Sequence, residues 1–488
     1  MASAAFATLG CKVNQYETQR ILDDFEEYGF SITEFNQQAD VYVINTCSVT
    51  QAAERKSRYM VRKLARQNPD AVVVMTGCYG EMASIRGEGS GEAHLVVPNS
   101  EKLQTLQHLL ASYPHFLNTR SEKVYTAAQT KQHRTRATIK VQDGCNVYCS
   151  FCSIPYTRKV MTSRPMDELV AEVESRAAQG YSEVVVTGVL VGAYGQDTAG
   201  SPAQHWSPDR EYSRPDLADL LLAFAKVEGI QRVRLSSIEP TQVTKRLLAA
   251  FASEPKLCPH LHIPLQSGDS GVLAKMNRPY SHEFYLERCL EAKAMIPNLA
   301  ISADIMVGFP GETREAFENT VSMVHEVGFA RAHLFRYSQR PGTPAADMPD
   351  QISDAEKEAR SSELTRACRE AQVEFINRHL GATMEVLVEG KDRQLPSEPE
   401  GETGNDQHAR LDALQGSDLR LLSGYTANYI RVQFSGGSHL IGKMVPVYLM
   451  EHSTDGAVGE AGGAHFSALE APPDADFIPL ATLQAALV

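Results

Sequence analysis

The segment Cys145-Asn-Val-Tyr-Cys149-Ser-Phe-Cys152 places three cysteines in a C-x3-C-x2-C spacing, directly after a short apolar run. A structural zinc site is usually closed by four ligands, so three thiols in one loop indicate a metal centre with an open coordination position. Thiolates also hold iron–sulfur clusters. The segment therefore predicts a cluster with one iron left free for a small molecule. A chance spacing or a zinc site is the alternative.

Strand and helix patterns alternate on both sides of this loop. Six strands with helical crossovers predict a partial (β/α)6 barrel, with functional groups at the carboxyl ends of the strands. The strand candidates are Ala137–Gln142, Glu183–Thr187, Arg232–Ser236, His260–Leu265, Ile301–Val307 and Ala330–Tyr337. The helical candidates include Met166–Ala178, Pro215–Val227, Tyr280–Met295 and Thr313–Val327. The polar Gln196–Pro215 insertion, which carries the only tryptophan, Trp206, is either a lid or a variable surface loop.

Three more cysteines, Cys11, Cys47 and Cys78, each follow a short β-branched run near the N-terminus. Amphipathic stretches separate these runs, which predicts an α/β domain with a parallel sheet. The strand candidates are Ala4–Leu9, Val41–Ile44 and Val72–Met75. Parallel strands end at one shared edge, so the three thiols are expected to converge there. Three separate buried structural thiols are the alternative.

The C-terminal part begins with a helical stretch, Ser353–Leu380, and continues with short apolar runs that predict a small β-barrel. Its strand candidates are Thr383–Val388, Tyr425–Phe434 and Lys443–Leu449, with a polar loop at Lys391–Gly416. The fold class is thus α/β in four regions. These are an αβ domain at residues 1–117, the partial barrel at 131–365, the small β-barrel at 377–450 and an acidic flexible tail at 451–488.

The net charge of −13, from 47 basic and 60 acidic residues, argues weakly against a nucleic-acid partner. Six basic residues between Glu54 and Arg66, and four between Lys131 and Lys140, can still form a basic face. A solvated helix face is the alternative reading. No apolar run reaches the ~18–20 residues that span a bilayer, and no basic segment precedes a signal-like stretch. The sequence therefore predicts a soluble cytoplasmic protein without a membrane partner.

The cysteine loop resembles that of the radical S-adenosylmethionine superfamily, in which the open iron binds S-adenosylmethionine and one electron cleaves it to a 5′-deoxyadenosyl radical. The aromatic residue before the last cysteine fits this pattern. Thr187-Gly188 and Val307-Gly-Phe-Pro-Gly-Glu312 resemble superfamily segments near the methionine and adenine groups. The resemblance implies cofactor contacts for Phe151, Thr187, Gly188, Ser236, Gln266, Gly308 and Glu312.

The order of the domains resembles the methylthiotransferase family over the chain up to about residue 450. Matching stretches are Leu9-Gly-Cys-Lys-Val-Asn-Gln-Tyr-Glu-Thr18, Asn45-Thr-Cys-Ser-Val49, Thr76-Gly-Cys78, Ile154-Pro-Tyr-Thr-Arg158, Ser236-Ser-Ile-Glu-Pro240, His262-Ile-Pro-Leu-Gln-Ser-Gly268 and Tyr337-Ser-Gln-Arg-Pro-Gly-Thr343. The last domain resembles the RNA-binding TRAM domain. There Tyr425, Tyr429 and Arg431 are either RNA contacts or ordinary barrel residues.

The family resemblance implies two 4Fe–4S clusters. Cys145, Cys149 and Cys152 would hold the radical-generating cluster, and Cys11, Cys47 and Cys78 a second cluster that donates sulfur. One S-adenosylmethionine methylates that sulfur, and another supplies the radical that activates the carbon. No catalytic side chain is assigned beyond these ligands, because cofactors carry the difficult chemistry. An electron donor such as flavodoxin or ferredoxin is expected. The other cysteines, Cys258, Cys289 and Cys368, are expected to be buried hydrophobes.

The first motif and Leu235-Ser-Ser-Ile-Glu-Pro240 resemble the threonylcarbamoyladenosine branch of the family. The predicted reaction adds a methylthio group to C2 of N6-threonylcarbamoyladenosine at position 37 of tRNA, beside the anticodon. A base in such a loop is cheaper to unstack than one in a duplex. Alternatives are isopentenyladenosine in tRNA, an aspartate of a ribosomal protein, or a non-catalytic iron–sulfur protein. The carboxylate of the threonylcarbamoyl group predicts a basic partner, with candidates Arg158, Arg164, Arg336 and Arg340.

Overall fold

The computed structural model describes residues 2–89, 91–119, 135–197, 215–389 and 419–462. Its first unit is a parallel sheet in the order β2-β1-β3-β4-β5. The strands are β1 (Ser3–Thr8), β2 (Ser31–Thr33), β3 (Val41–Thr46), β4 (Val72–Gly77) and β5 (Leu95–Val96). The helices are α1 (Lys12–Tyr28), α2 (Gln51–Gln67), α3 (Cys78–Ile85) and α4 (Thr105–Ser112).

Helices cover both faces of this sheet. Successive residues of β3 and β4 point to opposite faces, so one set packs against α1 and α4 and the other against α2 and α3. Every residue of these two strands is buried, which explains their continuous β-branched runs. The predicted parallel α/β domain is confirmed.

The second unit is a partial barrel of six parallel strands, β6-β8-β9 followed by β10-β11-β12. A parallel bridge between Ser237 and His262 connects the two halves. Among the described residues no ladder joins β6 to β12, so the barrel is open on that side. The strands are β6 (Ala137–Asp143), the short antiparallel β7 (Thr162–Ser163), β8 (Glu183–Gly188), β9 (Arg232–Leu235), β10 (His260–His262), β11 (Ala300–Val307) and β12 (Arg331–Arg336).

Helices surround the outside of the partial barrel. Alternate strand residues such as Ile139, Val184 and Leu261 belong to the core between strands and helices. The intervening residues, which include Arg234, His262 and Asp304, are absent from that core and face the other side of the strands. The helices are α5 (Ile154–Thr157), α6 (Met166–Ala178), α7 (Leu217–Ala225), α8 (Lys245–Ser253), α9 (Ser270–Lys275), α10 (His282–Met295), α11 (Arg314–Val327) and α12 (Asp354–Asn377).

The third unit is a closed barrel in the order β13-β14-β15-β17-β16. Its strands are β13 (Thr383–Glu389), β14 (Leu419–Thr426), β15 (Arg431–Gly437), β16 (Met444–Ser453) and β17 (Gly456–Ala461). The single strand predicted at Tyr425–Phe434 is wrong, because this run crosses the turn between β14 and β15. The run alternates regularly, but Tyr429 adopts a left-handed φ of 68° that reverses the chain.

The acidic tail predicted to begin at residue 451 is also wrong at its start, because β17 closes the barrel from within that segment. Ala457 and Ala461 are buried, but their side chains are small and acidic residues lie near them in the sequence. The segment therefore lacks the apolar alternation that would predict a strand. Residues 463–488 lie outside the described residues. So do most of the Gln196–Pro215 insertion, including Trp206, most of the connection from 118 to 136, and the Lys391–Gly416 loop. None of the described helices has the length and apolarity that crossing a membrane requires.

Candidate active site

The three N-terminal cysteines meet at one edge of the first sheet. Cys11 is the N-cap of α1, Cys47 follows β3, and Cys78 begins α3 directly after β4. β3 pairs in parallel with both β1 and β4, so the three strands end side by side. Burial is the main cause that raises the pKa of Cys47 to about 11, and the neighbouring Cys78 and Cys11 thiols add to it. The structure thus brings together the thiols that the strand pattern predicts to converge.

Close backbone packing holds this edge together. Gly10 has a φ of +97°, and a Cβ at this position would lie 2.6 Å from Cys47 Sγ. Asn14 of α1 donates a hydrogen bond to the Thr46 carbonyl at 3.0 Å, and Asn45 donates to the Asn14 carbonyl at 3.0 Å. Both asparagines lie inside the motifs quoted above, but no sequence signal marks them as positioning residues. Only the folded structure shows that Asn14, which also donates to the Leu9 carbonyl, connects the ends of β1 and β3, and that Asn45 connects β3 to α1.

The barrel cysteines, Cys145, Cys149 and Cys152, lie in the loop between β6 and α5. Gly144 opens this loop with a φ of +81°, and a Cβ there would lie 2.1 Å from the Val160 carbonyl oxygen. Burial is the largest cause that raises the pKa of all three thiols, and that of Cys152 reaches about 11. Burial therefore disfavours three thiolates at this position unless a positive centre compensates them.

Each trio supplies the ligand type that a metal cluster takes. Thiolates hold iron–sulfur clusters, and each iron takes its own thiolate. The two trios of cysteines therefore suit two clusters, and each trio leaves one iron of a 4Fe–4S cluster without a cysteine.

The two trios face one another across the junction of the first two units. Ser48 and Ser153, which follow Cys47 and Cys152, place their Oγ atoms 3.2 Å apart. Arg340 is buried and donates from Nη1 to the Ser48 carbonyl at 3.1 Å and from Nη2 to the Phe151 carbonyl at 2.5 Å. One guanidinium thus clamps the loop after β3 to the cysteine loop of the barrel.

A buried ion network fixes this junction further. Glu17 of α1 accepts hydrogen bonds from Lys102 at 2.7 Å, Lys140 of β6 at 2.6 Å and Arg158 at 2.7 Å. Burial disfavours its carboxylate, yet these three cations hold the pKa of Glu17 well below its usual value. Arg158 also binds Asp143 at 2.7 Å. The network spans both units, so α1 and its preceding Cys11 are held against the barrel.

One side chain that sequence reasoning missed contacts the barrel cysteines directly. Arg278 follows α9 and donates from Nη1 to Cys149 Sγ at 3.0 Å. Its other nitrogens pair with Glu239 and donate to the Tyr280 hydroxyl at 3.0 Å. This guanidinium stabilises negative charge on the sulfur of Cys149. No sequence signal connects Arg278 with a cysteine so far away in the chain.

The residues predicted to contact S-adenosylmethionine lie at strand ends around the cysteine loop. Thr187 and Ser236 are hydrogen-bond neighbours, with their oxygens 3.3 Å apart. The Gly308 amide donates to Glu312 at 2.8 Å, and Arg360 of α12 binds the same carboxylate at 2.6 Å. Glu312 thus shapes the loop after β11. Of the remaining members, Gly188 is the last residue of β8, and Phe151 and Gln266 lie in the loops after β6 and β10. Their cofactor contacts stay predictions.

The four arginines considered for the substrate carboxylate are already engaged. Arg158 is held by Glu17, Arg164 binds Glu172 at 2.7 Å, and Arg336 pairs with Glu358. Arg340 has no carboxylate partner among the described residues, but its guanidinium holds the two carbonyls described above. The first three would have to break an ion pair in order to bind substrate, which makes them poor recognition groups.

The aromatic residues of the third unit lie against the partial barrel. Tyr425 and Tyr429 stack with ring centroids 4.7 Å apart, and Arg136 and Arg234 lie over the Tyr429 ring. Arg431 pairs with Asp455 at 3.6 Å. These contacts favour the interpretation of Tyr425, Tyr429 and Arg431 as structural barrel residues rather than as free RNA contacts.

Two further expectations concern other parts of the chain. The basic residues of α2 are largely exposed. The isolated cysteines are buried, as expected; these are Cys258, Cys289 and Cys368.

Known proteins resemble the chain over nearly its full length. The family described as Uncharacterized protein family UPF0004 matches residues 3–94, and the Radical SAM superfamily matches residues 139–324. The threonylcarbamoyladenosine tRNA methylthiotransferase MtaB of Bacillus subtilis is 36% identical over 459 residues, with 92% of this chain and 94% of the relative covered. The tRNA-2-methylthio-N(6)-dimethylallyladenosine synthase of Syntrophomonas wolfei is 33% identical over 463 residues, with 93% and 96% covered.

A solved structure supports the fold alone. The radical S-adenosylmethionine methyltransferase TsrM from Kitasatospora setae superposes with a TM-score of 0.50 at 14% identity, covering 71% of this chain and 77% of that chain. The fold and the cysteine loop define a radical S-adenosylmethionine enzyme with a second, N-terminal cysteine site. With these relatives, the chain belongs to the radical S-adenosylmethionine tRNA methylthiotransferase family. Its cofactors are two 4Fe–4S clusters and S-adenosylmethionine.

Proposed function

We propose that this transferase adds a methylthio group to C2 of N6-threonylcarbamoyladenosine at position 37 of tRNA, in the anticodon loop. The observation that carries this proposal is the facing pair of cysteine trios, joined by the Ser48–Ser153 contact and by Arg340. The relatives named for threonylcarbamoyladenosine in Bacillus subtilis and Chlamydia pneumoniae support this base as the substrate, at 36% and 37% identity.

In this proposal each trio has its own task. Cys145, Cys149 and Cys152 hold the cluster that binds S-adenosylmethionine, and Cys11, Cys47 and Cys78 hold the cluster that carries the sulfur. The bound cofactors supply the radical and the methylthio group for attack at an unactivated C–H bond. The protein positions both sites: Arg278 donates a hydrogen bond to Cys149, and Arg340 holds the two cysteine-bearing loops together.

The partners follow from this chemistry. The substrate is an anticodon loop, whose base can leave its stack at low cost. A one-electron donor such as flavodoxin or ferredoxin is required for each cleavage of S-adenosylmethionine. The small C-terminal barrel is a TRAM-like RNA-binding module, and the basic face of α2 adds phosphate contacts. The reaction takes place in the cytoplasm, where tRNA is modified.

Mass analysis of tRNA nucleosides tests the function. A strain that lacks this gene should accumulate N6-threonylcarbamoyladenosine without its methylthio derivative, and the intact gene should restore the derivative. A gene encoding Cys149→Ala serves as the matched negative control. Loss of methylthio-isopentenyladenosine instead would transfer the assignment to the other tRNA branch. Normal tRNA together with an unmodified ribosomal aspartate would contradict a tRNA substrate.

A further inference from the structure

The edge strand of the partial barrel, β12, exposes every second side chain on its inner face. Ala332 and Leu334 pack against the core between strands and helices. The alternate residues, which are Arg331, His333 and Phe335, therefore face the other side of the strand, and all three are exposed. Among the described strands no ladder joins β12 to β6, so this inner face borders the opening of the barrel.

The pairing of β12 with β11 arranges the inner face in two layers. Phe335 pairs with Met306, and His333 pairs with Asp304. Met306 belongs to the same cluster of buried residues as Cys149, so the upper layer, Met306 and Phe335, adjoins the cysteine loop of the barrel. The lower layer, Asp304 and His333, lies two residues deeper, which is about 6.6 Å along a parallel strand.

Phe335 of the upper layer is an aromatic ring without an aromatic partner. Its side chain is large and apolar, yet 38% of it is exposed. Among the described residues no other ring and no cation stacks on it. Bases that have left their own stack are bound on aromatic side chains of this kind. Phe335 therefore offers a stacking surface beside the cysteine loop.

The lower layer consists of groups that form hydrogen bonds. The His262 imidazole of β10 reaches this layer, with Nε2 3.3 Å from the Asp304 carboxylate and Nδ1 2.9 Å from Ser302 Oγ. The ring of His333 lies 5.8 Å from that of His262, centroid to centroid. In the described part of the chain His333 itself forms no hydrogen bond and no ion pair. An imidazole always carries at least one N–H donor, and that of His333 is available to a ligand.

The two layers fit two different parts of one ligand. A purine base suits the apolar upper layer, because every base has a flat face that stacks on an aromatic ring. A substituent with carbonyl and carboxylate oxygens suits the polar lower layer. A hydrocarbon substituent would instead desolvate the imidazole and carboxylate groups without giving them hydrogen-bond partners. The inner face of β12 therefore matches a base that carries a polar substituent.

We propose that Phe335 stacks on the target base and that His333 donates a hydrogen bond to an oxygen of its threonylcarbamoyl group. The proposal rests on the proposed function and names the residues that recognise the substrate at that same site. The stacked base lies beside the cysteine loop, and its substituent extends into the barrel toward Asp304. Phe335 thus binds the base whatever it carries, whereas His333 selects the polar substituent.

The test measures binding of three synthetic anticodon stem-loops by fluorescence anisotropy. One carries threonylcarbamoyladenosine at the target position, one carries isopentenyladenosine, and one lacks the base. With the reconstituted full-length enzyme, Phe335→Ala should weaken binding of both base-containing stem-loops about tenfold and leave the abasic one unchanged. His333→Leu should weaken only the threonylcarbamoyl stem-loop, about 5- to 10-fold. Phe335→Tyr and His333→Gln, which keep a ring and an N–H donor, should recover part of each loss.

Leu290→Ala and His325→Leu are the matched controls. They alter an exposed apolar residue of α10 and an exposed histidine of α11, and they should leave all three affinities unchanged. Iron content and circular dichroism confirm that each variant is loaded and folded.

Three results would overturn the proposal. They are unchanged binding of the base-containing stem-loops by Phe335→Ala, an equal loss for the abasic stem-loop, and an effect of His333→Leu that does not depend on the substituent. Methylthiolation assays on the same stem-loops test the proposed function separately. If the wild type modified only the isopentenyl stem-loop, the proposed function itself would fail.

Discussion

The two cysteine sites are built in different ways. The barrel trio comes from a single loop, so its geometry depends on a few local backbone angles such as the φ of +81° at Gly144. The N-terminal trio comes from the ends of three strands, so its geometry depends on the register of β1, β3 and β4. The first site can be recognised from spacing alone, whereas the second exists only when a sheet has formed. Substitutions at the two sites should therefore separate radical generation from sulfur transfer.

The largest effect is expected at the barrel trio. Cys145→Ala, Cys149→Ala or Cys152→Ala should abolish both 5′-deoxyadenosine production and methylthiolation, because each removes a thiolate of the cluster that binds S-adenosylmethionine. Anaerobic chromatography of 5′-deoxyadenosine provides the measurement. Cys258→Ala, which removes an isolated buried thiol, is the control that should retain cleavage. Cleavage in any of the three variants would refute the assignment.

A smaller and more selective effect is expected at the N-terminal trio. Cys47→Ala should stop methylthiolation and leave part of the S-adenosylmethionine cleavage, since the barrel loop is intact. Its iron content after anaerobic reconstitution should fall from about eight to about four per chain. Iron analysis and the two product assays are performed on one preparation. Normal methylthiolation by Cys47→Ala would show that these thiols are only structural.

Substitutions at two glycines should also separate radical generation from sulfur transfer, and they leave all six cysteine ligands in place. Gly10→Ala places a Cβ 2.6 Å from Cys47 Sγ, and Gly144→Ala places one 2.1 Å from the Val160 carbonyl oxygen. Both residues have positive φ, so each substitution costs about 1–2 kcal/mol of backbone strain in addition to the steric clash. Gly10→Ala should reduce methylthiolation about tenfold and spare cleavage, while Gly144→Ala should reduce both.

Gly87→Ala is the control for these glycine variants. The φ of Gly87 is +67°, and a Cβ there meets no atom within 4 Å. The substitution therefore introduces the same backbone strain but no steric clash. Gly87→Ala should leave both activities near the wild-type level. Equal losses of cleavage in Gly10→Ala and Gly144→Ala would show that the two sites are not independent.

The smallest effect is expected outside the ligands. Arg278→Met removes the hydrogen bond to Cys149 Sγ and should reduce cleavage by about 10-fold, the lower end for residues that support a metal ligand. The reduction potential of the barrel cluster should fall, because a nearby positive charge is lost. Arg278→Lys, which keeps the charge, should recover part of the potential. Electron paramagnetic resonance during a redox titration measures the shift, and an unchanged potential in Arg278→Met would contradict the role.

Much of the architecture was accessible from hydrophobic patterns. The helix predicted at Met166–Ala178 is observed with the same bounds, and the strand predicted at Ala137–Gln142 ends one residue later, at Asp143. Long periodic segments bury one face, so the period of their apolar residues shows whether they form a helix or a strand. Short segments of small residues carry a weaker hydrophobic pattern, which is why the sequence predicts a flexible tail where the structure has β17. The turn at Tyr429 was missed because a regular alternation continues through it.

The sequence by itself determined the three-part α/β organisation, the cysteine loop of the barrel and the family resemblance. These depend on local periodicity and on residues close together in the chain. Only the tertiary structure showed that Ser48 meets Ser153, that Arg278 reaches Cys149, and that Glu17 of α1 joins Lys140 of the barrel. These contacts connect residues far apart in sequence, and no local pattern encodes which distant partner a buried charge will find. Their position is decided when the sheets and helices pack.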